Sequence, residues 1–307
     1  MSGAIGAYLD GSPDGRLHLQ HGPIDLVIGV SSGPPGRESA MRAQAYQKAA
    51  ARFSSVLEDL VSELPLLKAR AYPGCPQPQG LVARRMMAAV MPLSERYFIT
   101  PMAAVAGAVA DEVLEAMLSG FAPGTRPSRL YVNNGGDIAL HLDHDAEWRV
   151  GMAREDGAGL GTFTIRADDP VRGIATSGQG GRSLSMGIAT SVTVLAKTAA
   201  AADAAATIIA NAVDLPDHPA IIRTPANRLV EDSDLGDRLV VTSCGDLDEA
   251  EIAEALDRGQ LMAEHLMAQG LIDRAALFLR NRVRTVGEGP SLQIPNNSAR
   301  LERYAHA

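Results

Sequence analysis

Hydrophobic residues along this chain recur with two different periods, one typical of helices and one typical of strands. Apolar residues at helical spacing predict helices, and alternation with a period of two predicts strands. The helical segments are 53–64, 81–91, 101–118, 198–213 and 248–269. The strand-like segments are 17–30, 130–142, 148–152, 162–165, 173–177, 187–192, 220–223, 239–242 and 276–280. Several hairpin signals among these strands and helices predict an α+β fold of mixed sheets packed with helices.

Short signals at the ends of two predicted helices refine their boundaries. Pro92 is expected to end the helix that begins at Leu81, since proline removes a backbone donor and clashes with the preceding turn. Thr100 and Pro101 together predict a capped helix start, with the threonine hydroxyl bonded to a free N–H of the first turn. Small residues of that helix, Gly107 among them, form a face for close approach, which core packing explains without a ligand.

The length of 307 residues accommodates one large core. We expect a single domain over residues 1–290, with a nucleotide- and metal-binding core at about 128–215, followed by a polar C-terminal tail at 291–307. The helix at 248–269 either packs inside this domain or forms the seam of a homodimer, and the sequence leaves both arrangements open.

Charge and cysteine content narrow the functional classes. A formal net charge of −8 argues against a nucleic-acid partner, which favours a basic face. The two cysteines, Cys75 and Cys244, are too few for a disulfide scaffold or a thiolate metal site and indicate a reducing compartment. No secretory signal is visible at the first residues, and no uncharged apolar run reaches the roughly 18 residues of a membrane span. A cytoplasmic protein is therefore expected.

The strongest chemical signal lies in the apolar segment 191–213, SVTVLAKTAAAADAAATIIANAV. Asp203 lies where a carboxylate is unfavourable unless it is paired or bound to a metal. Successive intervals of four residues place Asp203, Thr207 and Asn211 along one helix face. Such an oxygen-bearing stripe suits a hard cation such as Mg²⁺, which takes a carboxylate, a hydroxyl or carbonyl, waters and substrate phosphate. The competing interpretation is a polar stripe bonded to neighbouring backbone.

A second signal is the segment NNGGDI, which includes Asn134, Gly135, Gly136 and Asp137. Two glycines after a strand allow backbone N–H groups to turn toward an anion, and Asp137 can orient the loop or bind a ribose hydroxyl. The same letters also form an ordinary hairpin turn, and this interpretation is favoured when the segment is taken alone.

The third signal is a glycine-rich loop between two copies of the phrase GIATS, which begin at Gly173 and Gly187. We interpret the two copies as adjacent strands joined by this loop. Its glycines permit close backbone approach, and its side chains supply donors for phosphate oxygens. The residues concerned are Gly178, Gly180, Gly181, Arg182 and Ser183. An ordinary flexible connection is the alternative.

Taken together and in order, the three segments resemble the ApbE superfamily, the FAD:protein FMN transferases. NNGGDIAL is similar to the family's nucleotide loop, ATSG with the glycine–arginine loop to its flavin-side segment, and SVTVLAKTAAAADAAATIIANAV to its strand–helix unit. The resemblance is specific from about Leu130 to Val213. Segments such as GPIDLVI and ITPMAAVAGAVADEV look closer to a bacterial and archaeal branch of the superfamily.

The resemblance implies an ApbE-like, T-fold-related architecture and a site for a flavin nucleotide. Mg²⁺ would be held by Asp203 and Thr207. FAD or FMN would contact the nucleotide loop and the flavin-side segment, at Asn134, Gly135, Gly136, Asp137, Ser177, Gly178, Gly180, Gly181, Arg182 and Ser183. Family members attack the FAD pyrophosphate with a threonine or serine of a target protein, which leaves FMN esterified to the target and releases AMP.

The chain departs from the transferase pattern in one place. In the transferases a histidine-bearing loop that ends in Asp-Pro and Thr-Gly precedes the SVTV strand, whereas here RSLSMGIAT runs straight through. Two hypotheses follow. The first is an enzyme that cleaves FAD with Mg²⁺ and transfers FMN to an acceptor protein. The second is a non-transferase accessory protein that binds a flavin or another substrate and serves a partner in a redox or sulfur-assimilation pathway.

Overall fold

A computed structural model describes residues 3–9, 15–31, 38–122, 124–143, 145–153, 159–181 and 183–287. The helices α1 to α7 are Glu38–Ser62, Leu64–Lys68, Leu81–Ser94, Val105–Leu118, Ala199–Ala212, Ala226–Leu229 and Glu249–Ala268. A 3₁₀ turn, Pro101–Ala104, directly precedes α4. The strands β1 to β13 are Ile5–Tyr8, Leu17–His21, Ile24–Ser31, Arg129–Asn134, Asp137–Leu142, Glu147–Ala153, Gly159–Arg166, Gly173–Ser177, Ser191–Ala196, Ile221–Pro225, Leu239–Cys244, Arg274–Leu279 and Arg282–Val286. The predicted polar tail lies outside the described residues.

One 9-stranded sheet organises the fold, in the order β1-β2-β3-β4-β5-β8-β9-β12-β13. All of its pairings are antiparallel. The hairpin β6–β7 and the pair β10–β11 form two small sheets of their own. The α+β class with helices packed on sheets is therefore confirmed.

The central strands separate two cores, because successive side chains on a strand point to opposite faces of the sheet. On β9, Val192 and Val194 belong to the larger core, which the helices cover, whereas Leu195 belongs to a smaller one. The smaller core includes Phe163 and Ile165 of β7, so the β6–β7 hairpin covers the second face. No helix among the described residues is long and apolar enough to cross a bilayer.

The alanine-rich helix α5 lies at the centre of the larger core, in contact with α4, α7, β8 and β9. Both GIATS phrases begin with a glycine that touches it. A Cβ on Gly173 would lie 2.0 Å from the carbonyl carbon of Thr198, at the start of α5. A Cβ on Gly187 would lie 2.2 Å from the carbonyl oxygen of Ala210, near its end. The repeated phrase therefore marks two backbone contacts with the same helix.

The interpretation of the two GIATS copies as adjacent strands is right only in part. The first copy is β8, and β8 pairs with β9. The second copy contributes only Ser191 to β9, because the N–H groups of Ile188 and Thr190 bond instead to the carbonyls of Val213 and Phe278. Close packing on α5 and on the end of β12 replaces strand pairing there.

Two of the predicted helix ends differ from those in the structure, one at Pro92 and one at Thr100, where a helical turn does begin but without the predicted side-chain cap. Helix α3 continues through Pro92 to Ser94, because the last turn is held by buried Leu93 and Ser94. The hydroxyl of Thr100 does not cap a helix, and it donates to the carboxylate of Asp234. A 3₁₀ turn follows Thr100, and the regular helix begins later, at Val105.

The glycine contacts with α5 predict a stability effect. Gly173→Ala and Gly187→Ala should each lower the free energy of unfolding by about 1–3 kcal/mol, since a methyl group would force two backbones apart. Urea denaturation of each variant measures the loss. Gly151→Ala is the matched control, because a Cβ there meets no atom within 4 Å. Equal stability of all three variants would contradict the packing argument.

Candidate functional site

The predicted metal ligand Asp203 lies at the start of another helix. Its Oδ2 accepts a hydrogen bond of 3.1 Å from the backbone N–H of Gly107. The N–H of Ala106 also acts on this carboxylate and lowers its pKa. Both N–H groups belong to the first turn of α4, where the backbone donors have no partner within the helix. Asp203 of α5 therefore caps α4.

Helix α4 caps α5 in return. The two carboxylate oxygens of Asp111 accept hydrogen bonds from the backbone N–H groups of Ala199 and Ala200, at 3.0 and 2.9 Å. The helices meet at backbone contact, because a Cβ on Gly107 would lie 2.3 Å from the carbonyl oxygen of Ala199. Each helix therefore supplies an aspartate to the other's positive end. We call this arrangement the reciprocal cap.

The NNGGDI segment is joined to the reciprocal cap through a single peptide unit. The buried side chain of Asn134 donates from Nδ2 to the carbonyl oxygen of Ala106, at 3.1 Å. The N–H of the same peptide unit belongs to Gly107, which donates to Asp203. Two predicted site residues from distant parts of the sequence are thus held by one peptide group of α4.

Asp137 brings a second carboxylate to Asp203. It is buried at the start of β5, and its Oδ1 accepts a hydrogen bond of 3.1 Å from the N–H of Thr176 in β8. Desolvation by the surrounding protein raises the pKa of Asp203 well above its usual range, and the charge of Asp137 raises it further. The N–H groups of Gly107 and Ala106 act in the opposite direction and are outweighed.

The glycines of NNGGDI form a tight hairpin turn between β4 and β5. Gly135 and Gly136 have φ values of +65° and +111°, in the region that favours glycine. The N–H of Gly136 donates to the side-chain oxygen of Asn133, at 2.8 Å. The hairpin interpretation therefore describes this segment, while Asn134 and Asp137 at its two ends point into the site.

Internal hydrogen bonds also occupy the backbone of the glycine-rich loop. The N–H groups of Gln179, Gly180 and Gly181 donate to the carbonyls of Ala189, Thr190 and Gly178, at 2.8, 3.1 and 3.1 Å. A Cβ on Gly178 would lie 2.9 Å from the carbonyl oxygen of Thr190, which explains the glycine there. The loop begins beside Asp137, because Ser177 directly follows Thr176 in β8. Arg182 lies outside the described residues, and Ser183 is exposed.

The polar stripe on α5 is interpreted from sequence either as a cation site or as side chains bonded to neighbouring backbone. The structure has features of both. Asn211 accepts a hydrogen bond of 3.0 Å from the N–H of Met186, so it is bonded to neighbouring backbone. This contact lies about 12 Å along the helix from Asp203, at a rise of about 1.5 Å per residue. Thr207 lies between them and is half-buried. Asp203 is bonded to backbone as well, but it keeps some exposed surface and two acidic neighbours, Asp137 and Asp111.

The donor chemistry around Asp203 fits a hard cation. A carboxylate has more acceptor positions than the N–H groups of α4 occupy, and nearby negative charge favours a cation. In the part of the chain that the structure describes, no three Asp, Glu, His or Cys side chains form a metal cluster. A Mg²⁺ ion at Asp203 would therefore need a hydroxyl such as that of Thr207, carbonyl oxygens, waters or substrate phosphate to complete its shell.

Helix α4 was missed as part of the site by sequence reasoning. Its small residues predicted close packing, and Gly107 does pack against Ala199. The additional signal was Asp111, four residues after Gly107 and hence on the same helix face. Its partner is the end of a helix far along the chain, which residue spacing cannot reveal.

The reciprocal cap predicts a pH dependence of stability. Desolvation raises the pKa of Asp111 from 3.8 to about 6, so the folded state holds the proton more tightly than the unfolded chain. This stabilisation is complete below pH 3.8 and is lost as the pH rises through about 6. In EDTA, the stability of Asp111→Asn relative to wild type should rise between pH 4 and pH 7. The rise should be at most about 3 kcal/mol, reduced by partial exposure of the side chain. Urea unfolding at several pH values measures it.

Glu112→Gln is the control with the opposite sign. Burial raises the pKa of Glu112, but hydrogen bonds and charges of Arg52 and Arg85 outweigh it and hold the pKa below the usual value of 4.5. The ionised carboxylate therefore stabilises the fold above that value and less as the pH falls. The deficit of Glu112→Gln relative to wild type should grow with pH. Parallel profiles for both variants would refute the assignment of the Asp111 shift.

Comparison with known proteins places this chain in a family. The family model described as AbpE bacteria matches residues 8–285. The chain is 38% identical over 128 residues to a UPF0280 protein of Methanococcus vannielii, covering 40% of this chain and 50% of that protein. A UPF0280 protein of Methanothermobacter thermautotrophicus is 36% identical over 153 residues, covering 49% and 56%. The chain thus spans about half the length of these curated relatives.

Solved structures give a more distant likeness. The flavin transferase ApbE from Vibrio cholerae matches with a TM-score of 0.41 and 15% identity, over 88% of this chain and 96% of that one. The apo form of the Pseudomonas stutzeri flavinyl transferase ApbE matches with a TM-score of 0.40 and 13% identity, over 92% and 93%. The family model spans nearly all of the described helices and strands. This chain therefore belongs to the AbpE bacteria family.

Proposed function

We propose that this protein binds a flavin nucleotide, FAD or FMN, with Mg²⁺ at Asp203 and Thr207, and that it cleaves FAD and transfers FMN to a serine or threonine of an acceptor protein. The observation that carries the proposal is geometric: one peptide unit of α4 binds the Asp203 carboxylate through the N–H of Gly107 and the Asn134 side chain through the carbonyl of Ala106. Membership of the AbpE bacteria family supports the flavin as ligand.

The residues of the site have separable tasks in this proposal. Asp203 and Thr207 hold Mg²⁺, which when bound supplies positive charge to the pyrophosphate oxygens. Asp137 orients the turn that Gly135 and Gly136 form, and Asn134 fixes that turn to α4. We assign the side chains of Ser183 and of Arg182, which lies outside the described residues, as donors to the phosphates. The N–H groups of Gln179, Gly180 and Gly181 already bond to protein carbonyls.

The transfer step balances without a redox partner. An acceptor hydroxyl oxygen forms a bond to the FMN phosphorus, the pyrophosphate bond to that phosphorus breaks, and AMP leaves while the hydroxyl proton passes to solvent or AMP. Positioning and charge stabilisation are the main tasks of a protein in phosphoryl chemistry of this kind. Such a reaction places the acceptor and the protein in the same compartment, which we propose is the cytoplasm.

A second function is favoured by one specific observation. The loop between β8 and β9 is closed by its own hydrogen bonds, and the segment lacks the histidine and Asp-Pro of the transferase pattern. A protein that binds a flavin on this scaffold and presents it to a redox partner, without cleaving it, is the alternative proposal.

An assay of AMP and FMN after incubation with FAD tests the primary proposal. Without an acceptor protein, water takes the place of the acceptor hydroxyl, so wild type with Mg²⁺ should release both AMP and FMN, and EDTA should abolish the release. Asp203→Asn, which keeps an acceptor for the N–H of Gly107 but removes the charge, should lower the rate by about 100-fold or more. Thr207→Ala should lower it by about tenfold, because water replaces the hydroxyl.

Lys197→Ala is the control, since Lys197 is exposed in the segment just before α5. Its rate should match that of wild type. FAD bound with no AMP formed would favour the non-transferase proposal, and absence of both binding and turnover would contradict the flavin proposal in both forms. Circular dichroism of each variant shows whether α5 remains folded.

A further inference from the structure

We propose that Asp111 is a positioning residue for the cation site at Asp203, acting through the first turn of α5. This inference rests on the proposed function, since it takes Asp203 as a metal ligand. It adds a residue of α4, which is part of neither the nucleotide segments nor the polar stripe of α5.

The connection runs through backbone atoms that the structure places at hydrogen-bond distance. Asp111 bonds to the N–H groups of Ala199 and Ala200. Asp203 is the residue one turn further along the same helix, so its Cα is fixed by the turn that Asp111 holds. Asp111 therefore sets where the Asp203 carboxylate lies along α4.

The side chain of Asp203 is also held in place, by the first turn of α4. The N–H of Gly107 holds Oδ2 of Asp203, and the N–H of Ala106 also acts on this carboxylate. A carboxylate has about four acceptor positions, so positions remain for a cation. Gly107 and Asp111 lie one turn apart on α4, and both are in contact with α5. A carboxylate fixed by both helices is preorganised for a cation, whereas a carboxylate on a loosely docked helix would lose affinity to motion.

Helix α5 does not depend on Asp111 alone for its cap. Thr198 also caps α5, because its side-chain oxygen accepts a hydrogen bond of 3.1 Å from the N–H of Ala201. The helix thus has a local cap of its own. The bonds to Asp111 add the docking of α5 on α4, across 88 residues of sequence from Ala199.

Glu112 provides a matched control next to Asp111. It is a buried carboxylate on the same helix, and it pairs with Arg52 and Arg85 at 2.8 and 2.9 Å, away from α5. Replacement of Glu112 by glutamine removes one negative charge and weakens the packing of α4, as replacement of Asp111 by asparagine does. Only the second change alters the contact with α5, and it also removes a charge that acts on Asp203.

The test is the affinity for Mn²⁺, used as a paramagnetic substitute for Mg²⁺, measured by electron paramagnetic resonance at pH 7.5 with and without FAD. We expect wild type to bind, Asp203→Asn to lose binding, and Asp111→Asn to bind at least about tenfold more weakly. Glu112→Gln should stay within about twofold of wild type. Circular dichroism at the same temperature verifies that each variant is folded.

The outcomes separate this inference from the proposed function. If wild type binds Mn²⁺, Asp203→Asn does not, and Asp111→Asn binds like wild type, the positioning role is refuted and the metal site stands. Equal weakening by Asp111→Asn and Glu112→Gln also refutes it, because loss of charge or packing would then explain both. Absence of Mn²⁺ binding by wild type, with and without FAD, refutes the metal site and the positioning role together.

Discussion

The structure depends on one reciprocal interaction, in which α4 and α5 each cap the other with an aspartate. A helix N-terminus exposes N–H groups without partners, and burying two such ends in one core requires acceptors for both. Asp203 supplies them to α4 and Asp111 supplies them to α5. The helices can come this close only because Gly107 has no side chain. The position of the central helix, and of the strands that contact it, follows from this contact.

Much of the architecture is predictable from local patterns. The hairpin around Gly135, the helix α7 and the strand–helix unit β9–α5 follow from periodicity and from turn residues. Predictions from local sequence are wrong where contacts with distant residues override a local signal. Thr100 carries a capping hydroxyl but bonds to Asp234, and Pro92 lies inside a helix whose last turn is buried.

In the candidate site, too, some residues are predictable from sequence and others are not. Sequence reasoning predicts Asp203, Asn134 and Asp137 as site residues, and the structure connects all three through α4 and their charges. It could not predict Asp111, because that residue acts on a helix end distant in sequence. It also could not predict that the N–H groups of Gln179 and Gly180 bond to the second GIATS phrase, since that depends on the fold of the loop.

The reciprocal cap holds the Asp203 carboxylate in a buried, acidic environment. Backbone donors hold Asp203 in place, but the adjacent Asp137 and the desolvating core make its negative charge unfavourable without a cation. A structural cap and a metal ligand are therefore compatible roles of one carboxylate, because the two roles use different acceptor positions. The departure from the transferase pattern lies in the loop before β9, outside this carboxylate arrangement.

Anomalous diffraction from crystals grown with Mn²⁺ and FAD tests the central claim, that the capped Asp203 carboxylate binds a divalent cation, most directly. The account predicts an anomalous peak at about 2.0–2.3 Å from an Asp203 oxygen and close to the Thr207 hydroxyl, with the N–H of Gly107 still bonded to the carboxylate. A map with ordered FAD, no anomalous peak and Asp203 bonded only to the backbone of α4 would contradict it. Asp203 would then be a structural cap alone.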